Sequence, residues 1–272
     1  MSDLFLEIAG ENYSLSKQFP GIYVQEVGRQ GPQMNVNSSE ISGVDGVIPG
    51  NVSFSPFVFS VQCNLQALDI PDYHLAVKEI YEFIFQREKY YIWSDMMPGI
   101  RYAVYPKPFD FNRETDRIAL LTLEFIVYKG YAESCGTTLD PLTFEANKWQ
   151  IGMNIRNSEN SAYIFNSNKF RLYNASSENI NPLMHHELDI ALTAVGNLII
   201  NNLTTGDSFQ YNKSLKKTDV LLLTGVYPYV NDVRCGKNTN HGVITLAKGW
   251  NEFEIKGVTN INVAFNFSFI YR

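Results

Sequence analysis

Apolar and polar side chains alternate along much of this chain with the two-residue period of strands that bury one face. The clearest run in the first half sets Phe57, Phe59, Val61, Cys63, Leu65 and Ala67 against Ser60, Gln62, Asn64 and Gln66. A second sets Leu121, Leu123, Phe125 and Val127 against Thr122, Glu124 and Ile126. Shorter strands are predicted over residues 4–8, 22–27, 90–93 and 101–105. Pro56 interrupts the phase between the long run and Val52 and Phe54, and because it has no N–H to give a ladder it predicts a bulge or an edge position. Strong helical spacing occurs once, through Tyr73, Val77, Ile80, Tyr81 and Ile84, with Lys78, Glu79 and Glu82 mostly on the other side. Pro71 suits the first turn of that helix, and Asp69 or Asp72 can accept its orphan N–H groups. The apolar stripe must be buried, so the first half is predicted to be a β-sandwich with one packed α-helix.

The small, polar stretch from Gly130 to Thr138 is the best linker candidate, and it divides the chain into domains 1–132 and 133–272. A length of 272 residues suits two domains of roughly 150 residues or fewer. Beyond the boundary the helical period disappears, and short strands separated by turn signals predict a second, jelly-roll type β-sandwich. Residues 198–203, the turn Thr204-Thr205-Gly206-Asp207 and residues 208–211 read as a hairpin in which Gly206 supplies a positive φ. The last run sets Ile261, Val263, Phe265, Phe267, Phe269 and Tyr271 against Asn262, Ala264, Asn266 and Ser268, which pins the C-terminus into a sheet.

Composition narrows the function. Apolar residues at 45% and aromatic residues at 14% supply ample core and leave little reason for disorder. A net charge of -6 and a pI near 5.3, with Lys and Arg scattered, argue against sequence-specific nucleic-acid binding, which needs clustered cations to neutralise phosphates. The run Met1-Ser2-Asp3-Leu4-Phe5-Leu6-Glu7 lacks the basic start and apolar core of a signal peptide. No later segment approaches the roughly 18 apolar residues of a membrane span, so synthesis in the cytoplasm without membrane insertion is expected. Without a secretory route, triplets such as Asn51-Val52-Ser53 are chance sequons. Cys63, Cys135 and Cys235 are odd in number and widely spaced, which fits small buried hydrophobes better than a disulfide framework or a zinc motif.

Candidate chemistry is sparse. In a strand the adjacent His185 and His186 point to opposite faces, so they cannot readily share a metal. His74 belongs to the start of the helix, and His241-Gly242 to a turn. No nucleophile elbow, His-Glu-x-x-His or phosphate-cradling loop occurs. Glu252 and Glu254 share one face of a strand, the spacing of a glycosidase pair but also of any surface strand. No catalytic, cofactor or metal site is therefore expected. Trp149, Trp250, Tyr227 and Tyr229 could stack on sugar rings, with Trp250, Tyr227 and Tyr229 the named candidates, although core packing explains most such aromatics. The alternative this leaves open is a glycan-binding β-sandwich module that attaches to a cell surface.

The order of elements in the first half resembles the N-terminal domain of siphophage distal tail proteins. It has a short opening strand, the turn Ile41-Ser42-Gly43-Val44-Asp45-Gly46, the long strand ending near Ala67, the single helix, Tyr90-Tyr91-Ile92-Trp93, the turn Asp95-Met96-Met97-Pro98-Gly99, the strand over 101–105 and the closing strand over 120–128. Gly43, Asp45 and Gly46 look like that family's turn, where a small backbone and a carboxylate able to bond neighbouring amides are physically sensible. The second half resembles the family's galectin-like β-sandwich through residues 200–206, 219–223 and Leu246-Ala247-Lys248-Gly249-Trp250-Asn251-Glu252-Phe253. The resemblance implies a non-enzymatic homo-hexameric ring at the virion tail tip, set between the major tail tube protein and the tail-associated tip protein. It also implies C-terminal domains offering docking for a receptor-binding protein or side fibres.

Overall fold

The computed structural model describes residues 2–143, 148–156 and 162–272; Met1, which opens the run read against a signal peptide, lies outside them. Two compact units divide the chain, Met1–Glu133 with Arg272, and Ser134–Tyr271.

The first unit contains β1 (Leu4–Ile8), β2 (Glu11–Ser14), the single turn α1 (Leu15–Gln18), β3 (Ile22–Arg29), β4 (Met34–Ser39), β5 (Ile48–Phe54) and β6 (Phe57–Gln66). It continues through α2 (Ile70–Ile84), β7 (Tyr90–Ser94), β8 (Ile100–Pro106), β9 (Phe111–Arg113) and β10 (Ile118–Val127). Its main sheet runs β2-β1-β7-β8-β10-β6-β3, with β9 also on β10, and it curls until Ser2 bridges Val24. The predicted alternation sets the core. Antiparallel pairing of β6 and β10 puts Phe59 opposite Phe125, Val61 opposite Leu123, Cys63 opposite Leu121 and Leu65 opposite Ala119, all buried. Asp69 caps α2 by accepting from the Asp72 N–H, and Tyr73, Ile80 and Ile84 form its buried face. Phe83 meets the rings of Tyr13 and Phe19 edge-on, while the Tyr81 hydroxyl donates to the Phe109 carbonyl at 3.1 Å. These contacts lock the helix in place.

The phase break at Pro56 is larger than a bulge. Val52 and Phe54 belong to a separate two-stranded hairpin, β4 with β5, in which Met34 lies opposite Phe54 and Val36 opposite Val52. That hairpin prolongs the β3–β6 ribbon, because the Gln30 N–H donates to Val58 and the Ser55 N–H to Gln33, each at 2.9 Å.

The stretch read as a linker is also ordered differently. Residues 132–137 form β11 (Ala132–Thr137), mostly buried. The Ser134 hydroxyl bonds the Gly136 carbonyl and the Phe269 N–H, and a Cβ on Gly136 would sit 2.6 Å from the Trp149 ring. Its small residues are there because neighbours approach closely, a demand that composition alone does not distinguish from looseness.

The second unit adds β12 (Ile164–Phe165), β13 (Lys169–Asn174), β14 (Asp189–Asn202), β15 (Asp207–Leu215), β16 (Leu221–Thr224), β17 (Tyr227–Val230), β18 (Val233–Arg234), β19 (Gly249–Asn266) and β20 (Ser268–Tyr271). The strands predicted around Glu252 and after Ile261 are one long strand, β19, paired with β14 along nearly its whole length. Each strand of this pair changes its outer neighbour halfway along. β14 pairs first with β16 and then with β15, while β19 pairs first with β13 and then with β12. The ribbon therefore serves two layers, and it bends where they part. Gly196 (φ +126°) and Gly257 (φ +74°) face one another there, and a Cβ on Gly257 would lie 2.0 Å from the Asn197 carbonyl oxygen. The half-buried Phe170 ring meets those of the buried Phe253 and Phe265, which come from the two halves of β19.

Candidate functional site

The β4–β5 hairpin is the most conspicuous surface of the first unit. Its ladder is amphipathic: Met34, Val36, Val52 and Phe54 share one face, Asn35 and Ser53 the other, and Asn35 Nδ2 donates to the Ser55 hydroxyl at 2.6 Å. Gly43 (φ +85°) and Gly46 (φ +86°) shape the tip, with Asp45 exposed between them and the Val44 N–H donating to the Ile41 carbonyl at 3.2 Å. The predicted turn thus lies at the end of an arm and precedes β5, not the long strand β6. Met34, Val36, Ile41, Val44, Val47, Ile48 and Val52 all remain exposed. A two-stranded hairpin is marginal on its own, and a contiguous uncovered apolar face marks a contact site.

In the second unit a knot of buried asparagines holds one end of the sandwich. Asn202 Nδ2 donates to the Thr245 carbonyl (2.8 Å) and to Asn251 Oδ1 (3.1 Å). Asn251 in turn accepts from the Ala247 N–H and donates to the Ala247 and Gly249 carbonyls. Gly206 (φ +80°) closes the neighbouring β14–β15 turn, and Asp207 bonds Thr205 and both the N–H and hydroxyl of Thr245.

The aromatic candidates do not converge. Trp250 is half-buried at the start of β19, with the Arg171 guanidinium 4.7 Å and the Arg156 guanidinium 6.0 Å from its ring, and Tyr173 beside it. Tyr227 lies opposite Thr224, which aligns through Asp189 with Asn266 at the other end of β19. Its ring carries the Arg234 guanidinium at 4.2 Å, and Tyr229 follows on the same strand face. Trp149 is buried and donates its indole N–H to the Pro141 carbonyl. Arginines thus cover ring faces on which a sugar would stack.

The remaining chemical candidates are engaged structurally. Glu252 pairs with Arg171, and Glu254 with Lys169 and Lys256. Hydrogen bonds from Lys256 and Lys169 hold the Glu254 carboxyl below its ordinary range, the reverse of what a proton donor needs. His185 terminates a short 3-10 turn with φ +62°, and the buried His186 accepts the Asn181 N–H at Nδ1. His74 is exposed on α2, and His241 has φ +57°. Cys63 and Cys235 are buried and Cys135 half-buried, none of them in a disulfide; burial, with Asp3 nearby, pushes the Cys63 thiol up to about 12. Among the described residues no cluster of three or more His, Cys, Asp or Glu side chains could hold a metal, and no helix is long and apolar enough to cross a membrane.

Sequence reasoning missed the arm's apolar face, the asparagine knot and the Gly196–Gly257 bend. The alternation of Met34 with Val36, and of Val52 with Phe54, was the one available signal for the arm.

Residues 8–127 match the family model described as a phage tail protein RIFT-related domain. No curated protein matches the chain in sequence. Among solved structures, the fold is similar to that of the Dit protein of phage SPP1, described as a paradigm of the hub adsorption apparatus in Gram-positive infecting phages. The TM-score is 0.72 over 99% of this chain and 99% of that one, at 11% identity. Chains of the phage P2 baseplate in its activated conformation, with Ca and with Sr, each give a TM-score of 0.49 at 10% identity. They cover 99% and 98% of this chain and 98% of their own.

Proposed function

We propose that this chain, which carries a phage tail RIFT-related domain and has the fold of a Dit protein over its whole length, is a non-enzymatic structural hub of a phage tail tip. Six copies form a ring through their first units, stacked between the last ring of the major tail tube protein and the tail-associated tip protein. The second unit, which we read as galectin-like, offers docking for a receptor-binding protein or side fibres, and binding of sugar is not implied by such a fold. The observation that carries the reading is a fold similarity covering 99% of both chains, joined to the domain match in the first unit. A ring also needs a surface that one copy leaves uncovered, and the β4–β5 arm is such a surface. The net charge of -6 suits a channel that must let DNA slide past. Native mass spectrometry and negative-stain imaging of the purified protein, alone and with the tip protein, test this: sixfold rings are expected. A chain that stays monomeric in both settings overturns it.

A further inference from the structure

We propose that Arg156 and Arg171, gathered around Trp250 on an exposed face of the second unit, form a binding site for an acidic saccharide, a sugar that carries a carboxylate or a phosphate. Strand register places the parts. On the paired strands β13 and β19, Arg171 lies opposite Glu252 and Tyr173 opposite Trp250, and the period of two puts all four side chains on one face. The segment ahead of β12 crosses that face, where Asn154 Nδ2 donates to the Tyr173 hydroxyl at 3.0 Å. The Arg156 guanidinium lies 4.7 Å from the Tyr173 ring centre and 6.0 Å from that of Trp250, and the Arg171 guanidinium 4.7 Å from Trp250. Tyr173 is buried and Trp250 half-buried, whereas Asn154, Arg156, Arg171 and Glu252 are exposed.

Three features select the ligand. The first is charge. Among the described residues Arg156 pairs with no carboxylate, and Glu252 stands 3.8 Å from Arg171 Nε, beyond hydrogen-bond reach. Glu254, next along the same face, is by contrast held by Lys169 at 3.2 Å and Lys256 at 3.0 Å. Two guanidinium groups around one indole repel each other, and an oxyanion that both can reach offsets that repulsion. The second is preorganisation. A guanidinium laid over a ring keeps its N–H edge turned outward, has given up side-chain freedom before a ligand arrives, and matches the paired oxygens of a carboxylate or phosphate. The bond from Asn154 fixes the Tyr173 ring, and Asn154 itself takes φ +58°, a left-handed turn two residues before Arg156. The third is the rim. Glu252 and the amide oxygen of Asn154 are exposed acceptors, which suit sugar hydroxyls and disfavour a bare polyanion or an acidic peptide. A neutral sugar has to lift the arginines off the rings in order to stack, whereas an acidic one binds their edges and leaves the stacking intact.

The test uses the full chain in three forms: unaltered, with Arg156→Gln and Arg171→Gln, and with Lys216→Gln and Lys217→Gln, which removes the same charge elsewhere on the unit. All four positions are exposed, so circular dichroism and melting should be unchanged. Each form is titrated by biolayer interferometry against polygalacturonate (carboxylates), phosphomannan (phosphates), neutral mannan and polyglutamate. The unaltered chain should bind polygalacturonate or phosphomannan at least about tenfold more tightly than mannan or polyglutamate, and the better of the two identifies the acidic group. Loss of both arginines should weaken that binding about tenfold or more, because a forked charged contact is removed. Loss of the lysines should change it less than about twofold at physiological ionic strength, where separated exposed charges are screened. A Trp250→Phe chain, which keeps a ring under the guanidinium groups, should still bind but lose the fluorescence change that the ligand causes. No binding to either acidic polysaccharide, equal binding to polyglutamate, or equal losses in the arginine and lysine forms overturns the site. The hub reading stands whichever of these is found, because the site uses one chain alone.

Discussion

Asn251 offers the sharpest test of what holds the second unit together. Its carboxamide is fully buried and makes four hydrogen bonds: Oδ1 accepts from the Ala247 N–H (2.8 Å) and Asn202 Nδ2 (3.1 Å), and Nδ2 donates to the Ala247 (2.8 Å) and Gly249 (3.2 Å) carbonyls. Asn251→Ala strands the Ala247 N–H and weakens two carbonyls in a site without solvent. At about 1–3 kcal/mol per orphaned buried group, and with Asn202 keeping its bond to Thr245, the expected loss is about 3–5 kcal/mol. For a unit of this size that lowers the midpoint of thermal unfolding by roughly 10 °C. Urea unfolding followed by tryptophan fluorescence, with calorimetry to separate the units, measures it. Asn202→Ala should cost less in the Asn251→Ala background than alone, because the two amides form one network. A loss below about 1 kcal/mol, or strict additivity of the pair, would refute the view that this knot ties the loop over residues 245–249 to the sandwich.

Two further outcomes follow from local geometry and charge. Gly257→Ala should cost roughly 3 kcal/mol or more, since a left-handed conformation costs about 1–2 kcal/mol and the Asn197 carbonyl must also move; Gly43→Ala, with open space around it, should cost only the conformational part. Equal losses in urea titrations of the two variants would disprove the close approach at the bend. For Asp140, burial works to raise the carboxyl pKa, but the hydrogen bonds from Lys148 (2.7 Å) and the Thr137 N–H (2.8 Å) prevail and hold it below its ordinary range. Its contribution is present above the unfolded value of about 3.9 and is lost as pH falls through the lower folded value. Asp140→Asn should therefore narrow its stability deficit as pH drops from 6 toward 2.5, and a constant deficit in urea midpoints across that range would count against the pairing.

Much of the fold was legible because burial on one face of a strand imposes a period of two, whatever the partner strand is. Phe57 through Leu65 and Leu121 through Val127 announced the central pair of the first unit, and Tyr73, Ile80 and Ile84 its helix. The aromatic candidates show where such reasoning ends. Trp250, Tyr227 and Tyr229 have the right chemistry for stacking on a sugar, but whether they share a platform depends on which strands lie between them.

By itself, then, the sequence determined the mainly β character, the one long amphipathic helix, the turn glycines and the inner faces of the main strands, because each depends on neighbours a few residues away. Only the tertiary structure decided the rest. Small residues over 130–138 read as a linker until Trp149 and Phe269 are seen against them. Gly196 and Gly257 acquire their purpose from each other across two strands. Asn202 and Asn251, polar by composition, are buried because each supplies what the other's surroundings lack. The arm is the clearest case: its alternation promises a buried face, and only the fold shows that one copy leaves that face uncovered.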